Sequence, residues 1–229
     1  MRHTALVFLL LSTVALPAAE RVATPIDNDS VKVLDVTVQP GEKTRLHEHK
    51  INRVMIYLDA GKQHFEWQGG KPTDIHWKAG QVLWSPAAGM HIAEITSKTP
   101  VRIIEVELKK PGGGKSPSAP AKDPLKVAPK NYKVEFENDQ VRVVRVKFAP
   151  GETVPMHEHA TNRVAVGLVD QDFRITTAEG VVQTPKRKAG EASWGTPVSH
   201  KEENLAKQPF ELRKRKTIRW TFYEFGEMV

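Results

Sequence analysis

Apolar and polar residues alternate over short stretches along most of this chain. Val31, Val33, Val36 and Val38 alternate with Lys32, Asp35 and Thr37, and Val101 to Leu108 does the same around Arg102, Glu105 and Glu107. A period of two over such lengths predicts strands, because successive side chains of a strand point to opposite faces. Pro-Gly, Ala-Gly and Gly-Gly steps punctuate these stretches, as turns between short hairpin strands require. After the N-terminal segment no stretch sustains a helical apolar period. The expected class is all-β, built as small antiparallel barrels or sandwiches. At the C-terminal end, Phe210 to Lys216 and Ile218 to Phe225 both read as strands, and only one of them corresponds to Val101 to Leu108.

The pattern is written twice. At a shift of 110 positions (His47 to His157), Asn28-Asp29 falls on Asn138-Asp139, and Val31, Val33 and Val36 fall on Val141, Val143 and Val146. Pro40-Gly41-Glu42 meets Pro150-Gly151-Glu152, His47-Glu48-His49 meets His157-Glu158-His159, and Asn52-Arg53-Val54 meets Asn162-Arg163-Val164. Lys78-Ala79-Gly80 and Trp84 meet Lys188-Ala189-Gly190 and Trp194. Such a period is far longer than a solenoid repeat, so each copy is expected to be a domain with its own core. Pro111 to Pro120 is rich in Gly, Pro and Ser and cannot join a core. It reads as a linker. The expected division is residues 20–110, a linker over 111–126, and residues 127–229.

The N-terminal residues bear on the compartment. Met1-Arg2-His3 is basic, Thr4 to Leu16 is almost wholly apolar, and Pro17-Ala18-Ala19 supplies small residues before Glu20. This is the layout of an export signal over residues 1–19, since the apolar run is shorter than the ~20 residues of a membrane span. A periplasmic or extracellular protein is expected, with no membrane span in the mature chain. Cysteine is absent, which excludes disulfides, thiolate nucleophiles and thiolate metal ligands. The net charge of +7 is spread along the chain apart from Arg213-Lys214-Arg215-Lys216. With no nucleic-acid reading motif beside it, that cluster reads as a solvated strand or turn, and no nucleic-acid partner is expected.

The chemistry lies in the histidines. Residues two apart on a strand share a face, so His47 projects with His49, and His157 with His159. A third histidine follows the next glycine-bounded strand in each copy, His91 after Gly80 and His200 after Gly190. Clustered imidazoles inside a barrel are costly to bury unless their lone pairs are used, and a divalent cation uses them. His64 and His76 have no histidine counterparts and read as surface residues. Trp84 and Trp194, on the strands leading to the third histidines, read as core residues.

On these residues the chain resembles the cupin superfamily, specifically a two-domain bicupin. Gly41 to His49 and Gly151 to His159 match the opening of the first cupin motif. Gly80, Pro86, Gly89 and His91 match the second, and Gly190, Pro197, His200 and Asn204 match it with one residue missing. The resemblance implies two tandem double-stranded β-helix (jelly-roll) barrels, with metal ligands His47, His49 and His91 in one and His157, His159 and His200 in the other. It implies a divalent metal as cofactor, with Fe, Mn, Zn, Ni and Cu all open. The chain departs from the family where it has Arg53 and Arg163 in place of a metal-binding Glu. On regular strands both arginines point inward, where a guanidinium cannot ligate a metal but can hold an anionic substrate in two-pronged fashion. A bulge would instead turn them outward. Glu94 and Glu203, three residues after the third histidines, are candidates for the missing carboxylate. Two functions remain open: a metal-dependent enzyme of the dioxygenase kind acting on a small anionic substrate, or a non-catalytic envelope protein binding a small molecule or metal. Assembly into a homo-oligomer is also open.

Overall fold

The computed structural model describes residues 21–113 and 118–206, and the backbone of residues 218–224. The expected export signal, the Arg213–Lys216 cluster and the candidate strand at 210–216 lie outside the described residues. Within them the all-β expectation holds. The first half contains β1 (Arg21–Asp27), β2 (Val31–Val38), β3 (His47–His49), β4 (Arg53–Tyr57) and β5 (Gly61–Trp67). It continues with β6 (Thr73–Trp77), β7 (Gln81–Ser85), β8 (Ala88–Ile95) and β9 (Val101–Leu108). A single helical turn, α1 (Pro124–Val127), closes the segment expected to be linker, capped by the Asp123 carboxylate on the Leu125 amide. Four residues are too few to leave a helical period in the sequence.

The second half contains β10 (Tyr132–Glu137), β11 (Arg142–Phe148), β12 (Thr153–His159), β13 (Arg163–Gly167) and β14 (Gln171–Thr177). The short β15 (Val182–Gln183) and β16 (Lys186–Arg187) follow, then β17 (Ala192–Gly195), β18 (Val198–Asn204) and β19 (Ile218–Glu224). Ile218–Glu224 is therefore the counterpart of Val101–Leu108, because β19 lies between β11 and β13 as β9 lies between β2 and β4.

Each half is two antiparallel sheets closed face to face. In barrel 1 these run β1-β2-β9-β4-β7 and β3-β8-β5-β6; in barrel 2 they run β10-β11-β19-β13-β17 and β12-β18-β14-β15, with β16 also on β14. The Pro-Gly turns carry Gly41 and Gly151 at positive φ (74° and 70°), where any side chain would be strained. Their amides bond the carbonyls of Ile95 and Asn204, which ties each turn to the strand bearing the third histidine.

The two barrels join through the outer faces of their five-stranded sheets. Val31, Val33, Val54, Ile56, Ile104 and Val106 pack with Val141, Val143, Val164 and Val166 in one continuous core, and Trp84 and Trp194 pack against it. This is why β4 and β13 are buried at every position: one face meets the barrel interior and the other meets the partner barrel. Charged residues cross the same seam. Arg102 grips Asp35 through Nε and Nη2 (2.8 and 2.7 Å) and donates to the carbonyl of Ala189. Arg145 grips Glu135 in the same two-pronged way and donates to the carbonyl of Gly80 at 2.7 Å.

Candidate metal centres

The register of the smaller sheets assembles the histidines. His47 sits directly opposite His91 across β3 and β8, and His157 sits opposite His200 across β12 and β18. Directly opposed side chains lie roughly 5 Å apart at Cβ, and the x residue of each His-x-His brings the third ring onto the same inner face. In each barrel one nitrogen from each of the three rings falls within 4.8 Å of the others.

The tautomers suit a cation. His47 Nδ1 lies 2.7 Å from the Arg45 carbonyl and His91 Nδ1 lies 2.9 Å from the Gly89 carbonyl. A carbonyl only accepts, so Nδ1 must carry the proton and Nε2 presents a lone pair. His157 is fixed the same way by the Pro155 carbonyl at 2.9 Å. In barrel 1, His49 Nε2 accepts from Arg53 Nη1 at 2.9 Å while standing 3.1 Å from His47 Nε2. The single lone pair of His49 Nε2 serves Arg53 in this arrangement, and a cation beside His47 Nε2 would take it over. Burial lowers the pKa of His49, His91, His159 and His200. Desolvation first, then the Arg53 charge and the neighbouring rings, hold His49 at about 3. Desolvation and Arg163 hold His159 at about 2, and desolvation holds His200 at about 3 against the opposing pull of Glu202. Neutral, convergent imidazoles are the donor set a first-row divalent ion requires, so the residues present fit such an ion.

Arg53 and Arg163 both point inward, each 7% exposed. Arg53 reaches across barrel 1 from the opposite sheet, where its guanidinium donates to Glu105 Oε2 at 2.9 Å and Ser85 Oγ at 3.0 Å. Arg163 donates to the Thr196 carbonyl at 2.7 Å. Glu94 and Glu203 lie on the opposite side of their strands from the rings and pair with Lys43 and Arg174. His64 pairs with Asp74, and His76 is exposed.

Three residues near the histidines carried no doubled signal in the sequence. Glu105 belongs to an alternating strand whose apolar side, Ile104 and Val106, faces the other barrel, so its acidic side faces the interior. Glu202, two residues beyond His200 and therefore on the same face, lies 3.6 Å from His200 Nε2 and is 3% exposed. Tyr132 Oη donates to Glu202 Oε2 at 2.8 Å and lies 3.3 Å from His157 Nε2.

The surroundings of the two triads differ. Barrel 1 encloses a cavity of about 460 Å³ beneath His47, His49 and His91, walled by Val38, Met55, Phe65, Trp67, Ile75 and Leu83 among others. The Trp67 ring centre stands 4.6 Å from that of His91. In barrel 2, among the described residues, Tyr132, Phe148 and Phe173 pack in the interior, and its three histidines are buried.

No protein-family model matches the chain, and no curated protein does. Solved structures do. AerE from Microcystis aeruginosa superposes with a TM-score of 0.64 at 12% identity, covering 93% of this chain and 96% of that one. A cupin 2 conserved barrel domain protein from Leptotrichia buccalis gives 0.53 at 13% identity, covering 93% and 91%. Oxalate decarboxylase from Bacillus subtilis, a protein with Mn(II) centres, gives 0.59 at 12% identity, covering 92% of this chain and 73% of that one. At these identities the likeness speaks for the fold alone, and that fold is the cupin β-barrel.

Proposed function

We propose that this is an exported protein whose first barrel holds a divalent metal through His47, His49 and His91 and presents it to a small organic ligand. The cavity of about 460 Å³ opening onto that triad carries the reading. It lies within the roughly 300–1,000 Å³ of small-molecule sites, and its walls are mostly aliphatic and aromatic. Three neutral imidazoles leave the charge of a divalent ion uncompensated in a low-dielectric interior. The complementary ligand therefore has one anionic donor head, such as a carboxylate, enolate or phenolate, and an apolar body. A bound ion would supply a Lewis-acid centre for that head. Phe65, Trp67, Ile75, Leu83 and Met55 would hold the body and exclude water. Arg53, held by Glu105 and Ser85, would yield the His49 lone pair to the ion and add a second positive group near the head.

A metal-dependent enzyme of the dioxygenase kind fits this arrangement. One observation favours a second reading, binding without turnover: Arg53 already engages Glu105, the acid of the cavity wall that it faces, which removes a ready proton carrier. The test is a titration of metal-loaded protein with a panel of aromatic and aliphatic carboxylates, enols and phenols, read by quenching of intrinsic tryptophan fluorescence, since Trp67 and Trp84 line the cavity, alongside oxygen consumption. Quenching that disappears in the His47→Ala/His49→Ala double variant supports the site. Oxygen uptake or product formation then selects the enzyme, and saturable binding alone selects the carrier. Metal content unchanged by the double variant, or no ligand response in any member of the panel, would discard the proposal.

A further inference from the structure

We infer that Glu202 is the fourth ligand of the second metal centre and that Tyr132 holds it in place. This rests on reading the histidine triads as metal sites, and it gives barrel 2 a different centre from barrel 1. A carboxylate on the third-histidine strand would supply the donor that Arg163 displaces from the strand after the histidine pair.

The geometry around Glu202 is specific. Its side chain lies inside the barrel on the same face of β18 as His200, with Oε1 at 3.6 Å from His200 Nε2. Oε2 accepts from Tyr132 Oη at 2.8 Å. Tyr132 arrives from β10 on the opposite sheet, so the carboxylate is clamped between the two sheets, and one oxygen stays on the side of the converging imidazoles. The same hydroxyl stands 3.3 Å from His157 Nε2, so the carboxylate borders the set of nitrogens that lie within 4.8 Å of one another and would join it by a rotation of the side chain toward them. A buried, ionised carboxylate is costly unless a positive group meets it. A divalent ion among these nitrogens provides one, and the carboxylate in turn offsets the charge that barrel 1 leaves for a ligand to offset.

Arg187 supplies a rival explanation. Burial lowers its pKa and the charge of Glu202 opposes that fall, so Glu202 could serve only as its counter-ion. The two roles predict different metal preferences. Three imidazoles plus a carboxylate oxygen suit Mn(II) and Fe(II), whereas imidazoles alone favour Zn(II), Ni(II) or Cu(II). Barrel 1 has Ala93 where barrel 2 has Glu202, as the pairing of Phe65 with Ala93 and of Ile175 with Glu202 shows.

The test uses the full chain with His47→Ala/His49→Ala, so that only the second site remains, titrated with Mn(II) and followed by its EPR spectrum. One equivalent should bind. Glu202→Gln should weaken Mn(II) roughly 100-fold or more and alter the spectrum. Tyr132→Phe, which keeps the ligand and removes its hydrogen bond, should cost roughly 10-fold, as loss of a group orienting a ligand typically does. Should Glu202→Gln fail to fold, the reverse experiment decides: Ala93→Glu in a His157→Ala/His159→Ala chain should raise Mn(II) affinity in barrel 1 at least ~10-fold. Mn(II) affinity and spectrum unchanged in Glu202→Gln, or in the Ala93→Glu chain where that test is used, would assign Glu202 to Arg187 and leave the three-histidine centre standing. If the second site binds no divalent ion and His157→Ala changes nothing, the inference falls together with the metal reading.

Discussion

The two barrels share a frame and differ in what fills it. Positions that join barrel to barrel are nearly identical in kind: Val31 and Val141, Val33 and Val143, Val54 and Val164, Ile56 and Val166 all face the common core. Positions that face each interior have diverged. Strand register makes Val22 the counterpart of Tyr132 and Gln63 the counterpart of Phe173, and the same shift relates Val38 to Phe148. These three exchanges put an aromatic in barrel 2, while Tyr57, Phe65 and Trp67 of barrel 1 meet Gly167, Ile175 and Thr177 in the other direction. In barrel 1 Val22, Val38 and Gln63 line the cavity beneath the histidines, whereas in barrel 2 Tyr132 reaches His157 and Phe148 packs on Phe173.

The largest expected effect follows from that filling. Phe148 is fully buried and packs edge-on to Phe173 with ring centres 5.4 Å apart. Phe148→Ala should destabilise barrel 2 by about 3–5 kcal/mol in urea denaturation, whereas Val38→Ala at the matching place should cost about 1–2 kcal/mol. Val38 borders a cavity already present and loses fewer contacts. Equal costs would mean that the two interiors are equally packed.

The seam offers the next test. Arg145 is 8% exposed, binds Glu135 in two-pronged fashion and caps the Gly80 carbonyl. Its replacement by Ala strands a carboxylate and a carbonyl, an expected loss of about 2–3 kcal/mol. Arg102→Ala should cost about half as much, because its ion pair with Asp35 is more open to solvent. Both variants should lower the cooperativity between the unfolding of the two barrels, as calorimetry would register. A loss at Arg102 exceeding that at Arg145 would contradict the burial argument.

Acid should separate the interiors by a smaller margin. His159 and His200 titrate near 2 and 3 in folded barrel 2, and His49 near 3 in barrel 1, against an ordinary value of 6.5. Below about 6.5 the unfolded chain takes up protons that the folded barrels refuse, so the metal-free protein loses stability as pH falls from 6.5 toward 3. Above 6.5 these groups contribute no pH dependence. His49 and His91 are lowered in barrel 1 as His159 and His200 are in barrel 2, but the latter pair is the more deeply buried, so barrel 2 should melt first on acidification, which amide exchange in β18 against β8 can report. A transition temperature that is flat over this range would show that the rings are solvated.

Much of this was legible beforehand, and the failures have physical causes. Paired turns, His-x-His and the third histidines are local features, so one register error would have destroyed their match. Glu202 is hidden because the doubled acids, Glu94 and Glu203, lie three residues past the histidines, while strand parity returns side chains to one face at two. Ala93 in the first copy also removed the doubling that drew attention to the histidines. Tyr132 escaped for the same reason, since Val22 occupies its place. The seam between barrels was hidden because alternation cannot tell which face of a strand is inside. On β9 the apolar face packs outward against barrel 2, and the face bearing Glu105 lines the cavity.

The smallest effect asks whether the shared frame is truly equivalent. Asn28 Oδ1 accepts from the amides of Ser30 and Val31, and Asn138 Oδ1 accepts from those of Gln140 and Val141, at 2.9–3.0 Å throughout. Both side chains close the turn that delivers a seam valine, Val31 or Val141, to the common core. Because the backbone geometry is the same and neither site touches the divergent interiors, Asn28→Ala and Asn138→Ala should each cost about 1 kcal/mol. The two costs should agree within ~0.5 kcal/mol and add in the double variant, as independent sites do. The interiors predict unequal costs and the turns predict equal ones, so a large difference between the two asparagines would mean that the divergence reaches the frame itself.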